Sequence, residues 1–288
     1  MRKAILAAAL LLVAVTVGAQ DRPTFVLTTA NQDELSKVND PNVIVRDPVE
    51  LSASRSWYVH DLTFEQYGSI AIGEHDLSLV VNGTITRSGT GLLQFRGFLR
   101  RAPNGRTGES FPPGSGIRGG NGTAGDKGRD TGTLFIVLRG EAVGRFGFEL
   151  AGQSGGDGGS GGNGGSGKQG AAGRRGDSGP VRCKRPSSPG VNGWPGGDGG
   201  NGGDGGECGQ DGRLDGDLGK GRYQFEKYPT RAYAGVPGRG GNGGKGGAGG
   251  AGGPKTGGCS AAPDGRPGRD GDPGRPGNPA PGGCPTRN

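Results

Sequence analysis

The sequence predicts a mainly β N-terminal domain followed by a bundle of polyglycine II, or polyproline II-type, helices, with little or no α-helix once a leader is cleaved. Three observations predict it. Glycine, 70 of 288 residues, is concentrated in the C-terminal half, where it recurs every third residue. Short apolar runs bounded by glycine follow one another at roughly ten-residue spacing in the first half, an all-β pattern. The hydrophobic fraction is 29%, against roughly 45–50% for globular chains. One oily core can therefore serve the first half, while the second must rely on something other than apolar burial.

The organisation expected is residues 1–19 as a signal peptide, 20–150 as the β-rich domain and 151–288 as the glycine-rich bundle. Arg2 and Lys3 precede the apolar stretch Ala4–Val17, and Val17-Gly18-Ala19 supplies small residues for cleavage. About 14 apolar residues are too few to span a membrane comfortably. The mature protein is expected to be secreted, extracellular or at the cell surface, and not membrane-spanning.

In the β domain, Val43-Ile44-Val45, Ser69-Ile70-Ala71-Ile72, Leu77–Val81, Leu92–Phe95, Leu134–Leu138 and Phe146–Leu150 are the strand candidates. Their spacing fits a short β-solenoid or a β-sandwich. The phrase IAIGEHDLSLVVNGTI resembles rungs of the right-handed solenoids of secreted β-helix proteins.

The glycine runs span Gly152–Gly179, Gly190–Gly212, Gly235–Gly253 and the proline-rich Gly265–Gly277, with a shorter period in Arg118–Gly128 that suggests a fifth helix. A period of three matches three residues per turn. In Gly-Gly-X two faces are bare backbone and the third carries X: Asp157, Ser160 and Asn163, then Asp198, Asn201 and Asp204, then Asn242, Lys245 and Ala248. Such helices have no internal hydrogen bonds, so their amides need neighbours. Disorder and a collagen triple helix are the alternatives. Interrupted register and Gly-Gly-X argue against collagen, and register with four cysteines argues against disorder.

Cys183, Cys208, Cys259 and Cys284 all lie in the glycine-rich half, and a secreted chain would form two disulfides from them. If the four runs alternate up and down, Cys183 and Cys259 end their runs on one side, and Cys208 and Cys284 follow 25 residues later. That interval spans roughly 75 Å of such a helix. Cys183–Cys259 and Cys208–Cys284 are the favoured pairs. The joining turns are expected at Val181–Pro189, Leu214–Ala234 and Lys255–Pro263, with Tyr223, Phe225, Tyr228 and Tyr233 forming a small core in the second.

Other motifs exclude more than they assign. His60 and His75, the two histidines, each precede an aspartate, but adjacent strand residues face opposite ways and no acid pair or nucleophile accompanies them. No catalytic residue, cofactor or metal ligand is expected, and zinc spacing is missing. GGNGGD at 199–204 covers half of a calcium-binding nonapeptide and lacks its apolar position. Arg175, Gly176 and Asp177 spell a cell-attachment motif that a triplet sequence rich in Arg and Asp also generates by composition. Asn82 and Asn121 begin glycosylation sequons. Residues 20–150 carry 14 basic and 15 acidic side chains and 151–288 carry 18 and 12. The excess is scattered without aromatics to stack bases, so nucleic acid is not an expected partner.

The glycine half resembles, in repeat type, the disulfide-linked bundles of snow-flea antifreeze proteins and the polyglycine tips of phage long-tail-fibre adhesins. The first resemblance implies a flat ice-binding face of small residues. Arg174, Arg175, Lys184, Arg185, Arg266, Arg269 and Arg275 would interrupt it, and the Ala248/Ala251 side is flatter. The second implies that the loops between helices bind a receptor. The expectation is a non-catalytic structural or adhesive protein contacting an extracellular surface, glycan or protein. Ice binding and a carbohydrate-active β-solenoid are the alternatives.

Overall fold

Alternating apolar residues in the first half build strands that are parallel, not antiparallel. In the computed structural model, residues 22–88, 93–180, 182–218, 224–227, 235, 238–239 and 241–280 are described. The predicted signal peptide therefore lies outside the described residues, as do Tyr223, Tyr228, Tyr233 and Cys284. The strands, in chain order, are β1 Thr24–Leu27, β2 Asn42–Val45, β3 Pro48–Glu50, β4 Arg55–Val59, β5 Leu62–Phe64 and β6 Ser69–Ala71. They continue with β7 Leu77–Val81, β8 Ile85–Arg87, β9 Phe95–Arg96, β10 Thr133–Leu138, β11 Ala142–Val143 and β12 Arg145–Glu149. Beyond residue 150 come β13 Asp177–Ser178, β14 Cys183–Arg185, β15 Arg213–Asp217 and β16 Gln224–Lys227. One short helix, α1 (Gln32–Leu35), precedes β2.

Three parallel sheets result, ordered β1-β2-β5-β8-β11, β15-β10-β7-β4 and β16-β12-β9-β6-β3. Each turn of the chain lays one strand on successive sheets, as β2, β3 and β4 do and then β5, β6 and β7. Phe25–Val43–Leu62 and Leu77–Leu134–Leu214 show the register running straight through the stack. The inward positions form one core, including Trp57, Phe64, Phe95, Phe146 and Phe148. Phe95 stacks on Phe148 and meets Phe64 edge-on, both at 5.3 Å between ring centres. Such pairs add to the area they bury.

The segment Leu214–Ala234, predicted as a turn capping the bundle, is corrected in its described part. Residues 213–217 form β15 against β10, and 224–227 form β16 against β12. Leu214 and Leu218 pack against the core of the first half. The segment reads as a polar loop because β15 is the outermost strand of its sheet, with one neighbour.

The glycine runs are neither α-helix nor strand, and their amides bond between segments. Six extended rods can be traced: rod 1 (102–111), rod 2 (117–132), rod 3 (151–175), rod 4 (187–212), rod 5 (described residues of 235–254) and rod 6 (262–278). Arg118–Gly128 falls in rod 2, whereas rod 1 was not anticipated from the sequence. Consecutive rods are antiparallel: Gly120 N donates to Glu109 O, Gly162 to Gly120, Gly200 to Gly162, Gly241 to Gly200 and Gly274 to Gly241. Alternate rods are parallel: Gly108 N donates to Ser160 O, Gly161 to Arg239, Gly122 to Asn201 and Gly199 to Asp272. The odd rods thus make one layer and the even rods a second layer beneath it.

The coil sets this arrangement. Rods 1 and 2 intervene between β9 and β10, and rods 3 and 4 between β12 and β15. Two successive turns of the coil thus each send one rod pair out at the same corner, which the earlier turns β3–β4 and β6–β7 cross with a few residues. Gly97 N donates to Glu149 O in the coil, and Gly105 to Asp157 and Gly108 to Ser160 in the rods, all 52 residues apart. The register of the strands therefore passes into the rods unchanged. Strands lie about 4.8 Å apart, and at that separation a side chain between rods meets a backbone. A Cβ on Gly162 would collide with Glu109 O, and one on Gly200 with Gly120 O.

Candidate functional site

The rods run from the coil to a distal tip, where rod 3 turns into rod 4 and rod 5 into rod 6. The first turn is a β13–β14 hairpin, with Asp177 opposite Arg185 and Ser178 opposite Cys183. The second is a tight turn in which Thr256 and Cys259 exchange backbone bonds (N–O 3.2 and 2.8 Å) around Gly257, φ +49°. Only an achiral residue adopts that conformation without cost.

The two turns are fastened together. Cys183 and Cys259 form a disulfide with Cα atoms 4.7 Å apart, the favoured pairing. Cys208 is disulfide-bonded as well, and its expected partner Cys284 lies outside the described residues. Thr256 Oγ1 donates to Gly176 O at 2.9 Å, and Ser187 Oγ donates to Pro254 O at 3.0 Å. Ser187 Oγ also accepts from Gly176 N at 3.1 Å. Thr256 and Cys259 are buried, so the tip has its own polar, covalently closed interior.

Its outside is basic. Arg174, Arg175, Arg182, Lys184, Arg185 and Lys255 are exposed, with Asp177 as the acidic counterpart. None of the six cations has an ion pair among the described residues. Nearer the coil three cations are partnered, Arg101 with Asp157 at 2.9 Å, Lys127 with Glu207 at 3.0 Å and Arg129 with Glu74 at 3.0 Å. Arg106, Arg118, Arg239 and Lys245 stand singly along the rods; what sets the tip apart is that its cations are clustered. Like charges held together at the end of a rigid body give a local positive potential, felt over about 8–10 Å at physiological salt.

The other predicted features are structural where they are described. Arg175, Gly176 and Asp177 enter the hairpin: Gly176 is buried, and Arg175 and Asp177 are exposed on its two sides. In the GGNGGD stretch, Asn201 and Asp204 accept backbone bonds from Arg275 (3.0 Å) and Asn278 (2.6 Å) of rod 6. The aspartates after the histidines each hold the next strand: Asp61 accepts from Thr84 N (2.6 Å) and Asp76 from Thr133 N (2.7 Å). His60 Nδ1 lies 3.3 Å from Asp40. The Asn82 amide donates to Asp40 and, with Arg22 and against partial burial, holds that carboxyl below its ordinary value. Asn121 of the second sequon accepts from Asn201 N at 2.9 Å. No group of three or more His, Cys, Asp or Glu suited to a metal ion occurs among the described residues, nor any helix long and apolar enough to cross a membrane.

Sequence reasoning took the cations one by one, as interruptions of a flat face. The signal for their convergence was the cysteines, since Arg182, Lys184 and Arg185 flank Cys183 and Lys255 precedes Cys259.

No family model matches the chain, and no curated protein matches it. Among solved structures, a nine-helix polyproline type II bundle, a springtail antifreeze protein from Granisotoma rainieri, is 22% identical over 66% of this chain and 96% of its own. Its TM-score is 0.09, too low to carry an argument about fold or function.

Proposed function

We propose that this protein is a secreted, non-catalytic adhesive or structural protein. In this reading a short β-solenoid templates a polyglycine II bundle, and the bundle holds a disulfide-stapled tip against an extracellular surface. The observation that carries it is the convergence of six cations, without an ion pair among the described residues, on two turns joined by Cys183–Cys259. A rod spends no side chains on its own packing faces. Along the rods side chains are confined to the outward row, and at the turns cationic ones gather on a covalently anchored end. That is the economy of a device whose length sets a distance and whose end makes contact. The Val181–Pro189 and Lys255–Pro263 turns are the contacting loops, and the described part of Leu214–Ala234 belongs to the base.

The test is binding of the mature protein to a glycan array and to intact cells. Lys184→Glu, Arg185→Glu and Lys255→Glu together are compared with Arg239→Glu and Lys245→Glu on the exposed row of rod 5. Loss of binding in the tip variant with retention in the rod variant supports the reading. Equal binding by both variants and the parent contradicts it.

A further inference from the structure

The glycine register is broken along one line where rods 1 and 2 stop short of the tip. On rod 3, Gly156, Gly159, Gly162 and Gly165 are buried beside rods 1 and 2, and a Cβ on any of them would strike Pro103, Arg106, Glu109 or Ser115. Three residues on, the same row continues as Lys168, Ala171 and Arg174, all exposed. Rod 4 does the same. Gly197, Gly200 and Gly203 are buried against Ile117, Gly120 and Thr123 of rod 2, and towards the tip their row becomes Trp194, Val191 and Ser188. The two rows lie side by side, with Trp194 N donating to Lys168 O (2.9 Å), Val191 to Ala171 (2.9 Å) and Ser188 to Arg174 (3.0 Å). Trp194 is 63% exposed, Val191 53% and Ile117, at the step itself, 49%.

This ledge is therefore floored by two rods and closed at one end by the short pair. Three triplets give it a length of about 28 Å at 3.1 Å per residue. An exposed indole costs apolar surface in water, and such a patch rimmed by charge marks an interaction site. Trp and Arg are also the residues that dominate binding energy when a partner covers them. Lys168 and Arg174, one at each end of the rod 3 row, have no ion pair among the described residues, and the basic tip continues the same charge beyond Arg174.

We propose that the ledge binds a linear anionic polysaccharide. Its sugar rings lie along the two rows, with one ring face on Trp194 and acidic groups on Lys168 and Arg174. The inference deepens the adhesive reading by naming a ligand class, and it moves the contact from the loops to the step beside them. Charge selects an anion. A single aromatic in the ledge is a poor platform for single-stranded nucleic acid, which stacks successive bases on successive rings. The straight slot suits a chain rather than a bilayer.

The protein has two tryptophans, and Trp57 is 1% exposed in the coil. Fluorescence therefore reports on the ledge. Heparin is titrated into the full mature protein, with neutral dextran and an oligothymidylate in parallel and the solution mass measured throughout. The expected result is a heparin-dependent change in emission that added salt abolishes and dextran does not produce. Affinity, read by isothermal titration calorimetry because Trp194→Ala removes the fluorescent reporter, should fall at least tenfold in Trp194→Ala and in Lys168→Ser/Arg174→Ser, with far-UV circular dichroism unchanged. Unchanged affinity in both variants overturns the ledge while leaving a tip-binding adhesin intact. Tighter binding of the oligothymidylate, equal binding of dextran, or a dimer that buries Trp194 overturns the polysaccharide assignment.

Discussion

Gly162→Ala is the substitution for which the structure makes its sharpest demand. The added Cβ would overlap the carbonyl oxygen and carbon of Glu109 in rod 1. Those are backbone atoms, and no rotamer change relieves the clash. Rod 1 must retreat, and the bonds it and its neighbours share near this point are Gly162 N to Gly120 O (2.8 Å), Gly120 N to Glu109 O (2.8 Å), Gly108 N to Ser160 O (2.8 Å) and Phe111 N to Asn163 O (3.1 Å). At about 1 kcal/mol net for each bond lost, the cost is about 4 kcal/mol. Stiffening of the unfolded chain by alanine returns about 0.4–1 kcal/mol, leaving about 3 kcal/mol. Urea unfolding followed by far-UV circular dichroism measures it. Ser160→Ala on the exposed row and Ala171→Gly beyond the end of rod 1 serve as controls, each expected within about 1 kcal/mol. A Gly162→Ala protein as stable as Ser160→Ala would refute the packing argument.

Other consequences are as definite. Replacing Cys183 and Cys259 by serine opens a loop of 76 residues and should lower stability by about 4 kcal/mol on the loop-entropy relation, read from parallel denaturant curves. Phe95→Ala empties the centre of the coil core, between Phe64 and Phe148, and should cost about 3–5 kcal/mol. The Asp40 carboxyl is held below its ordinary value, so its contribution is present above about pH 4 and is lost as pH falls through the depressed folded value. Asp40→Asn should therefore flatten the acid side of the stability profile and leave its shape unchanged above neutrality. Asp157, Arg239 and Lys245 stand on the exposed rows of rods 3 and 5, so nanolitre osmometry should find no thermal hysteresis. A clear freezing gap would restore the ice-binding alternative.

The period-three runs and the apolar strands were legible because each is written in local spacing, and the Cys183–Cys259 staple followed from where alternating runs end. Rod 1 was not. It lies at the edge of the odd layer and needs glycine at few positions, so APNGRTGESF reads as a loop. β15 and β16 were missed for a related reason. Their pairing with β10 and β12 spans about eighty residues, and RLDGD carries one apolar side chain to announce it. Lys168, Ala171 and Trp194 occupy ordinary non-glycine positions of their period-three runs and carry no mark in the sequence. They mark where neighbouring rods end, which only the lengths of rods 1 and 2 reveal.

Residue-resolved amide hydrogen exchange tests the central claim most directly. In rod 3, Gly161, Gly162, Gly164 and Gly165 donate to rods 5 and 2, whereas no bond from the Ser160 amide is among those described. These paired glycine amides should therefore exchange slowly and the Ser160 amide fast, whereas the Asp157 and Asn163 amides, which donate to Asn104 Oδ1 (2.8 Å) and Ser110 Oγ (2.9 Å), should be slowed as well. The pattern should weaken from the tip inward when the disulfides are reduced. Uniformly fast exchange from 152 to 212 in the oxidised protein would contradict a bundle held by its backbone.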